Sequence, residues 1–233
     1  MAKSRLKIEA RDGGSFSAYL STPDDAARPG LVLCTEVFGV NAHMRSVADR
    51  FAAQGFAVLV PDLFWRIEPG MEIPYDKEGL KRGSEIVAAF DMERGAEDLG
   101  EAVKALRQSP QCNSKIGVVG FCVGGALAYL AAARCGVDAA VSYYGKGIEQ
   151  YLAEADRIRC PMALHFGAAD RFIPPPVIDR IASGVAHKPN IAVYVYPGVD
   201  HGFNSEDRPA YNAEVAKVAM QRTLAVLNKG VSI

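Results

Sequence analysis

The chain has 233 residues and a mass of 25.0 kDa, with 49% hydrophobic and 23% charged residues. That is the size and balance of one α/β domain spanning 1–233, and it excludes a disordered or low-complexity chain. A formal net charge of −1 and a pI near 6.4 supply no basic field for nucleic acid or an anionic membrane. Five cysteines, an odd number with no CxxC pair, argue against a disulfide framework and a cysteine-rich zinc site, and leave room for one reactive thiol.

At the N-terminus, MAKSRLKIEARDGG has charges without an apolar run behind them, so no secretory signal is read there, and a cytoplasmic setting is expected. Leu6–Ala10 and Phe16–Ser21, joined through Asp12-Gly13-Gly14, read as an antiparallel hairpin. Leu31–Thr35 follows as a buried strand, then Ala42–Gln54 as a helix with Val47, Ala48, Phe51 and Ala52 on its apolar face, then Phe56–Pro61 as a strand. Phe64–Pro74 lacks any period. Gly79–Phe90 and Ala96–Gln108 form a mixed-charge helical region with a break expected near Arg94-Gly95.

Strand Ile116–Phe121 runs directly into helix Ala126–Arg134, and Ala139–Tyr144 and Met162–Gly167 are further strands. An irregular Ala168–Pro176, helix Val177–Ala186, strand Ile191–Tyr196 and helix Ala213–Leu227 complete the chain. The strands are continuous apolar runs, which suits a mostly parallel sheet covered by helices on both faces. Their alternation with helices predicts right-handed crossovers. Both irregular segments follow strands, where open α/β sheets bind ligands.

The chemistry concentrates at Gly120-Phe121-Cys122-Val123-Gly124-Gly125, a G-x-C-x-G-G motif between strand and helix. A strand turning sharply into a helix strains its corner residue, and flanking glycines relieve the crowding. Cys122 occupies that corner, at a helix N-terminus, where a thiolate is favoured and the Val123 amide faces a developing oxyanion. The bland alternative is a small buried cysteine at a Gly-rich junction. Cys34, Cys135 and Cys160 read as buried small apolar residues, and Cys112, in SPQCNSK, as an exposed loop thiol.

A cysteine nucleophile needs a base and a group that orients the base. Asp170 lies in loop GAADRF after strand MALHFG, and His201 in loop PGVDHGF after strand IAVYVY. The order nucleophile, acid, histidine is that of elbow-bearing hydrolases, and both loops leave the same sheet edge as the elbow. Asp170 could instead cap its own loop. Asp200, adjacent to His201, is a rival acid whose side chain should diverge. His43 falls at a helix start, His165 within a strand and His187 in a surface turn.

The elbow, together with Thr35-Glu36-Val37-Phe38-Gly39-Val40-Asn41, Pro61-Asp62-Leu63, Ala89-Phe90-Asp91-Met92-Glu93 and Tyr143-Tyr144-Gly145, resembles the dienelactone hydrolase family over nearly the whole chain. The resemblance implies an α/β-hydrolase fold and a metal-free, cofactor-free enzyme acting on small lactones or activated esters, as a monomer or small homo-oligomer. It implies catalytic roles for Cys122, Asp170 and His201, with Glu36 accepting the thiol proton and the amides of Val37 and Val123 forming the oxyanion hole. A nearby carboxylate would keep the thiol protonated until it is needed. Phe38, Tyr143, Arg82 and Arg208 are expected to meet substrate.

The family's two carboxylate-clamping arginines fall by counting on Leu80 and near Ser205, and two aromatic wall positions on Ser84 and Val87. The substrate clamp therefore departs from the family while the catalytic motifs match it, with Lys81, Arg82 or Arg208 as substitutes. Two other classes remain open from sequence. One is a redox-reactive thiol protein using Cys122 without need of His201. The other is a catalytically idle binding protein on the same fold.

Overall fold

The computed structural model describes residues 1–24 and 26–232. Among them, eight strands form one sheet and six α-helices pack on it. β1 (Ala2–Glu9) and β2 (Ser15–Thr22) are antiparallel, with Ile8 opposite Phe16 beside a turn in which Gly13 and Gly14 take φ of 92° and 85°. β2 then pairs antiparallel with β4 (Ala57–Pro61). The parallel part comprises β4, β3 (Arg28–Cys34), β5 (Cys112–Phe121), β6 (Ala139–Tyr143), β7 (Met162–Gly167) and β8 (Ile191–Tyr196). The sheet order is β1-β2-β4-β3-β5-β6-β7-β8.

From β3 the chain steps outward to β4 and then returns across to β5. The order therefore reverses between β3 and β5, the crevice where such sheets take ligands. β4, β6 and β7 are buried at every residue, and β5 from Ile116 onward, so both faces are covered as their unbroken apolar runs require. α3 (Met92–Gln108) and α4 (Val123–Arg134) pack on each other over the middle of the sheet. α6 (Ala213–Val231) lies against β5, β6 and β7, and α1 (Ala42–Ala52) against β2 and β4. α5 is Pro175–Val185.

Three expectations shift. The break in the long helical region lies at Phe90-Asp91, not Arg94-Gly95. α2 (Lys77–Ala89) ends there, and Asp91 caps α3 by accepting from the amides of Glu93 (3.0 Å) and Arg94 (3.1 Å). An Asp that satisfies two orphan amides is a stronger boundary than a glycine inside a helix. Cys112 is buried, not an exposed loop thiol, because β5 starts there to pair with Arg28. α4 begins at Val123, directly at the elbow.

His165 is a packed strand residue. Its Nδ1 lies 2.9 Å from the Tyr196 hydroxyl, its ring stacks on Tyr143 and Tyr194, and burial, followed by the Arg222 charge, pushes its pKa down to about 3. The N-terminal hairpin is tied to the body by Arg66, whose guanidinium donates to Asp12 in the hairpin turn and to buried Asp98 on α3. Trp65 Nε1 donates to the same Asp98 (2.8 Å). No helix among the described residues is long and apolar enough to cross a membrane.

Candidate active site

Cys122 joins β5 to α4 with φ 57° and ψ −122°, a left-handed corner that a non-glycine residue adopts only when its surroundings enforce it. The enforcement is visible. Its amide donates to the Tyr143 carbonyl (3.0 Å), and its carbonyl accepts from Gly125 (2.9 Å) and Lys146 (3.3 Å). A Cβ on Gly124 would press into the carbonyls of Cys34 and Thr35, so only glycine lets α4 start this close to β3. The thiol is partly buried at the helix N-terminus.

His201 Nδ1 lies 2.7 Å from Asp170 Oδ2, both side chains being buried. The other oxygen, Oδ1, accepts from the amides of Phe172 (2.8 Å) and Ile173 (3.1 Å). Asp170 therefore caps its own loop and orients the imidazole at once, one oxygen for each task. With Nδ1–H donating to the carboxylate, Nε2 is left free, and it is buried with no hydrogen-bond partner. Burial disfavours the imidazolium, but the Cys122 charge and Asp170 outweigh it and raise the His201 pKa to about 10. Asp200 diverges as expected: its Oδ1 accepts from the amides of His201 (2.7 Å) and Arg171 (3.1 Å).

Glu36, just past β3, is 2% exposed. Its Oε1 accepts from Arg208 (3.1 Å), while Oε2 has no partner. Arg208 is itself buried, with its guanidinium 5.8 Å from the Phe38 ring centre. It reaches Glu36 by crossing Gly202, where a Cβ would strike its guanidinium.

These groups border a cavity of about 310 Å³. Glu36, Phe38, Cys122, His201 and Arg208 face it from the sheet side, with Val37 and Val123 between them. The opposing wall is α2, which presents Leu80, Gly83, Ser84 and Val87, one stripe at helical spacing, with Phe90 and Met92 beyond. Lys146, Gln150, Tyr151 and Phe172 form the remaining rim.

Two expected substrate contacts lie elsewhere. Arg82 is on the solvent face of α2, paired with Glu68 (2.7 Å) and Glu85 (3.1 Å), because it falls between the stripe residues Leu80 and Gly83. Tyr143 is the last residue of β6 and points into the core, its hydroxyl 2.6 Å from Thr223 Oγ1. The next residue, Tyr144, is the one near the site. With φ 39° it turns its ring to 4.8 Å from that of His201. Phe172, 45% exposed, also packs edge-on against that imidazole (5.1 Å, 76°). Tyr144 was visible in the Tyr-Tyr-Gly motif without a means to choose between the tyrosines, and Phe172 gave no signal.

A half-buried thiol and an imidazole aligned by a buried carboxylate around one cavity can perform nucleophilic acyl transfer. Among the described residues no three His, Cys, Asp or Glu side chains cluster to hold a metal ion.

The sequence profile of the dienelactone hydrolase family matches residues 16–231. A carboxymethylenebutenolidase of Pseudomonas putida is 38% identical over 223 residues, covering 95% of this chain and 94% of that protein. A candidate dienelactone hydrolase from Klebsiella pneumoniae superposes with a TM-score of 0.82 at 26% identity, covering 98% of this chain and 100% of that one. A dienelactone hydrolase-like promiscuous phosphotriesterase from metagenomic libraries superposes with a TM-score of 0.80 at 22% identity, over 99% of both chains.

Proposed function

This chain belongs to the dienelactone hydrolase family of ester and lactone hydrolases, and from that premise we propose that it hydrolyses its substrate through Cys122 as nucleophile and a thioester acyl-enzyme. The observation that carries this reading is the Cys122 elbow opening into the same cavity as an imidazole fixed by buried Asp170.

In the proposed cycle Glu36 takes the proton from the Cys122 thiol. The thiolate adds to the substrate carbonyl, and the oxyanion accepts from the amides of Val37 and Val123. Collapse expels the alkoxide, which takes a proton from the His201 imidazolium. The neutral imidazole, held in one tautomer by Asp170, then removes a proton from water. The resulting hydroxide attacks the thioester, and the departing sulfur takes up the proton of the new carboxylic acid, which restores the Cys122 thiol and frees a carboxylate product.

The cavity wall bears on the substrate. α2 offers Leu80 where a carboxylate clamp would need a cation, and the Arg208 charge is met by Glu36. A neutral lactone or activated ester fits the α2 wall better than a carboxylated one, since an ion facing Leu80 would lose hydration without gaining a partner there.

Replacing Cys122 with Ala tests the assignment. Release of nitrophenol from a nitrophenyl ester should fall to background while the far-UV circular dichroism stays unchanged. Undiminished turnover would overturn it.

A further inference from the structure

Glu36 borders two cavities. One is the substrate cavity. The other is about 10 Å³, room for a single water molecule, and is lined by Tyr75, Tyr144, His43 and Ser205 as well as Glu36. Two buried polar atoms of this lining, Glu36 Oε2 and the Tyr75 hydroxyl, have no hydrogen-bond partner. Beyond them, Ser205 Oγ lies 3.4 Å from His43 Nε2, and His43 Nδ1 lies 3.1 Å from Asp207 Oδ2. The His43 side chain is 7% exposed and that of Asp207 is 57% exposed. A chain of groups able to give and accept protons thus leads from a sealed carboxylate to solvent.

Such an exit has a use. Hydrolysis of a neutral ester near neutral pH yields a carboxylate, an alcohol and one proton, so each turnover must discharge a proton to bulk water. On the side away from substrate, Glu36 Oε1 faces Arg208, which stays protonated and cannot accept a proton to pass on.

We propose that Ser205, His43 and Asp207 form a proton path through which Glu36, by way of a water in the small cavity, exchanges with solvent. The proposal rests on the reading of Glu36 as acceptor of the thiol proton. That proton moves from Sγ to the Glu36 carboxylate and then, through the water and Ser205, to one nitrogen of His43. The opposite nitrogen releases its own proton to Asp207 and bulk water, leaving Cys122 as the thiolate; no electrons change hands. An imidazole is the side chain suited to this relay near neutral pH. The other ionisable groups facing Glu36 stay protonated: burial, then the Glu36 charge, holds the phenols of Tyr75 and Tyr144 well above their ordinary pKa, and Arg208 remains a cation.

The test is turnover of an activated aryl ester by His43→Ala in weak buffer. We expect kcat to fall about tenfold. The loss should be recovered as imidazole is added to the buffer and not by sodium chloride at equal ionic strength. In a Glu36→Gln background the same substitution should change nothing further. Native kcat in His43→Ala, or a loss that imidazole does not restore, overturns the path. Full activity in Glu36→Gln alone would instead remove the underlying role of Glu36. Should His43→Ala fail to fold, His43→Gln keeps the volume and a hydrogen bond but cannot relay a proton, and it should show the same fall in kcat with an altered pH profile.

Discussion

Asp170 divides its two oxygens between a backbone turn and an imidazole, so changing it touches structure and chemistry together. Asp170→Asn keeps an oxygen for the turn amides but cannot hold a positive imidazolium. Its kcat on an activated ester should fall about 10²-fold or more, measured beside an unchanged far-UV spectrum. The His201 pKa carries a stability consequence of definite sign. Folding raises it from 6.5 to about 10. Below pH 6.5 the imidazole is protonated whether folded or not, and the interaction contributes in full. Between 6.5 and 10 the unfolded chain gives up its proton first, and the contribution is lost as the folded pKa is passed. The Tm gap between the native protein and His201→Gln should therefore be widest below pH 6.5 and close toward pH 10. A gap that widened with pH would contradict the proton placement.

At the scale of elements, α2 forms the cavity wall opposite Cys122 and His201, and so is the proposed selector of substrate. Its stripe of Leu80, Gly83, Ser84 and Val87 faces the substrate space, and Gly83 brings the helix against Val37, where a Cβ would meet the Val37 side chain. Leu80→Arg places a guanidinium on that wall and should raise kcat/KM for a carboxylated lactone about tenfold relative to a neutral ester. Equal changes for both substrates would show that the wall does not sort them. Asp91, the cap that separates α2 from α3, should cost about 1 kcal/mol when replaced by Ala, read as a lowered urea midpoint.

Strands β4, β6 and β7 were legible in the sequence because both their faces are buried, so each is a mostly apolar run. The elbow was legible because its glycines mark close backbone approach. The same double burial hid which of Tyr143 and Tyr144 lies beside His201, since a continuous apolar run carries no alternation. Arg82 was chosen by charge, but helical spacing puts Leu80, Ser84 and Val87 on one stripe and Arg82 off it. The pairing of Arg208 with Glu36 spans 172 positions and depends on how two loops meet, which no local pattern encodes.

Across the whole molecule, the antiparallel hairpin is held to the parallel sheet by a polar clasp. Asp98 is 1% exposed and takes three hydrogen bonds, one from Trp65 and two from Arg66, while Arg66 also grips Asp12. Asp98→Ala leaves a partly buried guanidinium short of its counter-charge and should destabilise the fold by roughly 3 kcal/mol. Calorimetry would register it as a fall in Tm, and an unchanged Tm would mean that the clasp contributes nothing.

The strand order sets a further behaviour. Cys122 directly follows β5, flanked by strands on both sides, whereas His201 follows β8, an edge strand. Cys122 and His201, the proposed nucleophile and base, are thus anchored at unequal depth. Amides of β5 should exchange with deuterium last and those of β8 early, because an outer strand can detach without opening the rest. In dilute urea the enzyme should then fall silent while its helical signal persists and Cys122 still sits on an intact corner. Activity would report the fraying of one border strand, and removing the urea should restore it without complete refolding.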